Sequence, residues 1–141
     1  MKNRLALEGE YLEIMIELLG DTYNVNSLIK LVFMSFCVRN AKKRAYAGRK
    51  KDFIDVFFAS LNVKLISHPN ELEAILEVIR KLKTSGWIQV TNDEVVVLRD
   101  LKGFECENDF LISCRNKDLN PIIEVNKLDS RAFTEEVLRH V

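Results

Sequence analysis

The chain has 141 residues, 48% of them hydrophobic and 30% charged, with 21 Lys plus Arg balancing 21 Asp plus Glu for a formal charge of zero and a pI near 6.7. That length reads as a single domain, residues 1–141, large enough to bury a core without disulfide or metal staples. Balanced charge excludes a global field drawing the protein to nucleic acid or membrane, and a low net charge suits a subunit held in a complex.

The N-terminal pattern places a helix over residues 7–19, where Leu12, Met15, Ile16 and Leu19 recur at helical spacing with Glu10, Glu13 and Glu17 opposite and Gly20-Asp21 as the stop. Ser27 is a cap for a second helix over residues 28–39, which leaves only Lys30 and Ser35 for solvent. A helix apolar nearly all round is expected at the centre of a fold. Its most apolar run, residues 28–38, falls far short of the roughly 20 residues a membrane-spanning helix needs, so no membrane segment is expected. The basic start Met1-Lys2-Asn3-Arg4 runs into Glu8, Glu10 and Glu13, which no secretory leader contains. Cys37, Cys106 and Cys114 are odd in number and form no C-x-x-C pair, and two of them sit in apolar surroundings where a reduced thiol packs as a small hydrophobe, so a reducing cytoplasm is expected.

Composition then shifts. Arg39, Lys42, Lys43, Arg44, Arg49, Lys50 and Lys51 put seven cations in thirteen residues with no acid among them. One reading is a solvated helix end whose cations suit the negative pole of the second helix. The other is a candidate non-specific nucleic-acid contact, whose affinity for a duplex falls steeply with salt, with a log–log slope of about 0.9 per phosphate neutralised, and ignores base sequence. Asp52 next caps a helix carrying Phe53, Ile54, Phe57, Phe58 and Leu61. The stretch 63–69 that follows is longer than the three or four residues joining the helices of a helix-turn-helix.

The best-defined stretch is residues 70–98. Leu72, Ile75, Leu76, Ile79 and Leu82 form an apolar stripe, with Glu73, Glu77, Lys81 and Lys83 outward, Asn70 as N-cap with Glu73 reaching back to it, and Gly86 as the stop. Trp87, Ile88 and Val90, then residues 95–98, have strand composition around the turn Thr91-Asn92-Asp93-Glu94. Helix then hairpin reads as a winged helix, with a core over about 28–98, although another α+β fold can carry the same pieces. The fold class expected is mainly α with a small β-hairpin, an N-terminal helix over 7–19, and a C-terminal helical tail over 108–141. In that tail Phe110, Leu111 and Cys114 suggest a turn or two of helix, Asn120-Pro121 opens another, and Ser130 caps a last helix bearing Phe133, Val137 and Leu138.

No catalytic residue, cofactor site or metal site emerges. The five glycines are scattered singly, so there is no phosphate-cradling loop; His68 and His140 lie at no ligand spacing from a second His or Cys; and Cys37 sits inside an apolar helix that disfavours its thiolate. The protein is expected not to be an enzyme. As a DNA reader the winged helix is ill-suited, because the start of its recognition helix carries Glu71, Glu73 and Glu77 and its hairpin tip is acidic. Protein contact is the leading role, and a DNA-binding regulator is the alternative. The number of copies in any assembly is left open.

The order of pieces resembles the small middle components of bacterial three-component ABC-type ATPase systems. The likeness rests on the apolar helix 27–38, the basic gap, Asp52-Phe53-Ile54-Asp55-Val56-Phe57-Phe58, the run Ile75-Leu76-Glu77-Val78-Ile79-Arg80-Lys81-Leu82 into Ser85-Gly86-Trp87-Ile88, and the ending Glu124-Val125-Asn126-Lys127-Leu128 with 131–141. The resemblance implies a non-catalytic adaptor for a large ATPase acting on DNA in defence against mobile elements, and it assigns no catalytic residue here.

Overall fold

The computed structural model describes residues 3–41, 50–61, 65, 67–101, 106–115 and 119–141, with the side chains of 50–53 outside that description. The fold is mainly helical, 66%, with one two-stranded antiparallel sheet. No helix among the described residues is long and apolar enough to cross a membrane.

Helix α1 (Arg4–Leu19) begins three residues before the expected start, because Asn3 Oδ1 accepts from the Leu5 N–H at 2.9 Å and caps it. Helix α2 (Leu28–Asn40) is capped by Ser27 as expected. Lys30 and Ser35, however, are buried rather than left to solvent: Lys30 Nζ donates to the Asn126 carbonyl at 2.8 Å, and desolvation holds its pKa below the usual lysine range. The cause is that α2 is packed against five other helices: α1, α3 (Lys50–Phe58), α4 (Pro69–Thr84), α5 (Asp109–Cys114) and α7 (Ser130–His140). An all-round apolar helix at the centre is what its composition requires.

Several starts differ from expectation for local reasons. Helix α3 opens at Lys50, so Asp52 lies within it instead of capping it. Helix α4 opens on Pro69, with His68 at the cap position and Asn70 inside the helix; proline's fixed φ and missing N–H suit the first helical position. Glu73 accordingly reaches to Arg4, at 3.4 Å, and not back to Asn70. Helix α6 (Pro121–Asn126) follows the expected Asn120-Pro121 opening, whereas α7 is capped by Asp129, whose Oδ1 accepts from Ala132 N–H at 2.8 Å, and not by Ser130.

Strands β1 (Ile88–Thr91) and β2 (Glu94–Val97) pair Ile88 with Val97 and Val90 with Val95 across a turn in which Asn92 takes φ 56°. The stretch before α2 joins them: Ser27 bridges Glu94, Leu28 N–H donates to Asp93 O at 2.7 Å, and Val95 N–H donates to Asn26 O at 2.9 Å. Asp93 also takes the Ser27 hydroxyl and, at 2.9 Å, the Ile29 N–H. The acidic hairpin tip is thus clasped onto the positive end of α2.

One buried apolar cluster runs from Leu7 to Val137. Where α3 meets the C-terminal helices the cluster is aromatic: Phe58 meets Phe57 and Phe133 edge-on, each at 5.4 Å, and Phe57 lies 6.2 Å from Phe110. Leu138, expected on the apolar face of α7, is 70% exposed.

Candidate functional site

Along α1, Leu5, Gly9, Leu12, Ile16 and Leu19 are spaced four, three, four and three residues apart, the alternation by which one helix presents a seam to another. Part of that seam packs on α4, and the rest lines an open apolar groove. One section, about 300 Å³, lies between Leu5, Gly9 and Leu12 of α1 and Val78, Leu82 and Trp87. The next, about 350 Å³, shares Leu12, Leu82 and Trp87 and continues past Ile16 and Leu19 to Leu101. Leu5 is 69% exposed and Leu12 37%, so the seam reaches solvent.

Ion pairs line one rim of the groove. Glu8 bridges Arg4 at 3.0 Å and Lys81 at 2.7 Å, fixing α1 to the C-terminal half of α4. Trp87, expected to be a structural residue of the winged helix, is partly buried at the groove wall with the Arg99 guanidinium 4.9 Å above its ring. Gly9 leaves the floor bare: a Cβ placed there meets nothing within 4 Å.

Elsewhere on α1, Tyr11 belongs to a buried polar network. Glu71 Oε1 accepts from Tyr11 Oη at 2.6 Å, from Arg39 Nη1 at 2.9 Å and from Asn40 Nδ2 at 3.1 Å, and Arg39 Nε donates to Glu10. Burial, followed by the hydrogen bond and charge of Glu71, pushes the Tyr11 phenol upward, so it stays a donor. Glu71 was expected on the outward acidic face; its side chain is 6% exposed and turned into the fold. It occupies one end of the buried stripe of Ala74, Ile75, Val78, Ile79 and Leu82, where only a partnered carboxylate is tolerated.

The other expected residues divide clearly. Ile75, Ile79, Leu82 and Ile88 are buried, Leu72 is partly buried, and Gly86 takes φ 77° at the end of α4, but Leu76 is 52% exposed, being rotated off the stripe that Glu71 and Ala74 complete. Of the seven cations proposed for phosphate contact, Arg39 alone has a described side chain, and it is engaged by Glu10 and Glu71. Lys42, Lys43, Arg44 and Arg49 lie outside the described residues, and Lys50 and Lys51 open α3 with side chains outside them too. On the exposed side of α4, Glu77 neutralises Arg80 through two hydrogen bonds. Cys37 is fully buried, which pushes its thiol up to about 12.

Two features escaped the reading of the sequence. The groove was hidden because the apolar residues of α1 serve core and surface alike, although the four-three alternation that includes Gly9 was visible. Asp55, Glu136 and His140 meet between α3 and α7, their ligand atoms all within 4.8 Å of one another; the four-residue step from Glu136 to His140 was the signal. Comparison of the chain with protein-family models, with curated proteins and with solved structures returned no match.

Proposed function

We propose that the chain is a non-catalytic adaptor that docks an amphipathic helix of a protein partner in the groove between α1, α4 and Trp87. The observation that carries this reading is the α1 seam, which has helix-pairing spacing over a run of about 21 Å and is left partly uncovered. A helix laying an apolar stripe into such a groove is a common recognition mode. The helix order, with a hairpin after α4 and a short bridge before α2, supports a winged-helix core, while the inward Glu71, the neutralised Arg80 and the clasped hairpin tip all argue against its reading a DNA groove. The resemblance to ABC-type ATPase systems makes the large ATPase of such a system the partner to test first.

Co-expression of the full chain with that ATPase, followed by size-exclusion chromatography, tests the proposal. Leu5→Asp and Gly9→Leu alter the groove at positions with little or no packing in the monomer, so both variants stay folded and both lose the complex. Complexes retained by both variants, or no complex with the wild-type chain, overturn it. Self-association of the wild-type chain that Leu5→Asp abolishes would overturn it in favour of a second copy as the occupant.

A further inference from the structure

Asp55, Glu136 and His140 stand apart from the groove, on the face where α7 docks against α3. Glu136 and His140 are one helical turn apart and so share a face of α7, and Asp55 approaches them from α3 one turn before Phe58. His140 is held firmly. Its side chain is 16% exposed, its ring stacks on Phe58 with centroids 5.8 Å apart and planes 28° apart, and Nδ1 lies 2.9 Å from the Glu136 carbonyl oxygen.

A carbonyl oxygen can only accept, so Nδ1 carries the proton in that hydrogen bond, and in the neutral ring the lone pair is on Nε2. Nε2 faces Asp55 Oδ1 at 3.8 Å. With the ring neutral, two acceptors thus face each other across a gap too long for a hydrogen bond, a space that a cation bound to both can occupy. An Nδ1–H bond to a backbone carbonyl is also how a metal-binding histidine is oriented and its tautomer fixed.

Part of the positive charge comes from Arg139, whose Nη2 is 2.7 Å from Asp55 Oδ1 and also bonds Glu136 Oε2. That guanidinium satisfies the carboxylates, and its side chain is 58% exposed, free to swing outward on its long stem. We propose that Asp55, Glu136 and His140 form a binding site for a divalent transition-metal ion of the zinc class, which takes the place of Arg139 and joins α7 to α3. Donors on a tetrahedral zinc ion stand roughly 3.3 to 3.5 Å apart given bonds of about 2.0 to 2.2 Å, so the 3.8 Å between Nε2 and Asp55 Oδ1 closes with a small rotation, while Glu136, whose Oε2 lies 3.8 Å from Nδ1, has to swing toward Nε2; the two carboxylates are 49% and 23% exposed. One imidazole with two carboxylates selects zinc, cobalt or nickel over magnesium or calcium, which prefer all-oxygen sites.

Titration of the full, untagged chain with Co²⁺, followed by its visible absorption, and melting with and without Zn²⁺ test the site. The wild-type chain should saturate at one equivalent and melt at a higher temperature with Zn²⁺. His140→Gln and Asp55→Asn should each weaken binding about tenfold or more, and Arg139→Ala, which removes the competing cation, should tighten it. His68→Ala, at the only other histidine, should bind as wild type does. Absence of saturable binding in both the wild-type chain and Arg139→Ala, or binding that survives Asp55→Asn and His140→Gln unchanged, overturns the proposal. Should one of those two variants fail to fold, the other decides, since each removes a ligand from a different helix.

Discussion

Replacement of Glu71 by Gln tests whether the buried network between α1, α2 and α4 holds the three helices together. The carboxylate carries three donors on a single oxygen, from Tyr11, Arg39 and Asn40, at 2.6 to 3.1 Å. A carboxamide of the same shape keeps the volume but loses the charge, and hydrogen bonds involving a charged group are worth about 1.5 to 3 kcal/mol each, against about 1 for neutral ones. Arg39, 17% exposed, would retain Glu10 as its anionic partner, so the loss stays below the roughly 3 to 5 kcal/mol of a buried charge left alone. The expected destabilisation is about 2 to 4 kcal/mol. A chain of 141 residues has about 7 to 20 kcal/mol in total, so the variant folds; at roughly 2 to 4 °C per kcal/mol its melting temperature falls by about 4 to 16 °C. Urea unfolding followed by circular dichroism measures the difference, with Glu73→Gln as control because that side chain is 70% exposed and should change stability by less than about 0.5 kcal/mol. If the two variants unfold together, the network is a consequence of the packing and not one of its causes.

Gly9→Ala should stabilise the chain by about 0.5 to 1 kcal/mol, since a helix-interior glycine costs entropy and the added methyl meets nothing within 4 Å; a lowered melting temperature would mean that the groove closes in solution. Cys37 makes stability sensitive to alkali: its folded pKa is raised from 9.0 to about 12, so its contribution is complete below pH 9 and is lost as the pH climbs from there toward 12, at up to about 1.4 kcal/mol per pH unit. Urea midpoints at pH 8, 9 and 10 should fall in that order, and Cys37→Ala should flatten the slope between 9 and 10; equal slopes would place the sensitivity elsewhere, Cys106 being the next candidate because burial raises its thiol from the same 9.0.

The mainly helical class, the hairpin and its turn, and the central place of α2 were legible because they depend on periodicity and local turn chemistry, which the side chains display directly. Helix starts were less so where two signals competed: Pro69 and Asn70 both mark a beginning, and the backbone constraint of proline prevailed over the capping side chain. Glu71 and Leu76 exchanged their expected places for a reason no local pattern records. A carboxylate goes inward only when partners from two other helices are waiting, and Tyr11 and Arg39 lie 60 and 32 residues away in sequence. The groove and the Asp55, Glu136 and His140 cluster are likewise juxtapositions that exist only once helices pair.

The clasp of Asp93 on Ser27 joins positions 66 residues apart. Closing a loop of that length costs on the order of 4 kcal/mol in chain entropy, and two strands of four residues are too small to stand alone in water. The sheet therefore cannot serve as a seed for assembly. Helical pairing is expected to bring residues 26–28 into position first, with the hairpin closing onto them afterwards, an order that folding rates of hairpin and helix variants would check. The Val95 amide, sealed against Asn26 at 2.9 Å, is then exposed whenever the hairpin lifts from residues 26–28, and exchanges sooner than the amides at the centre of α2.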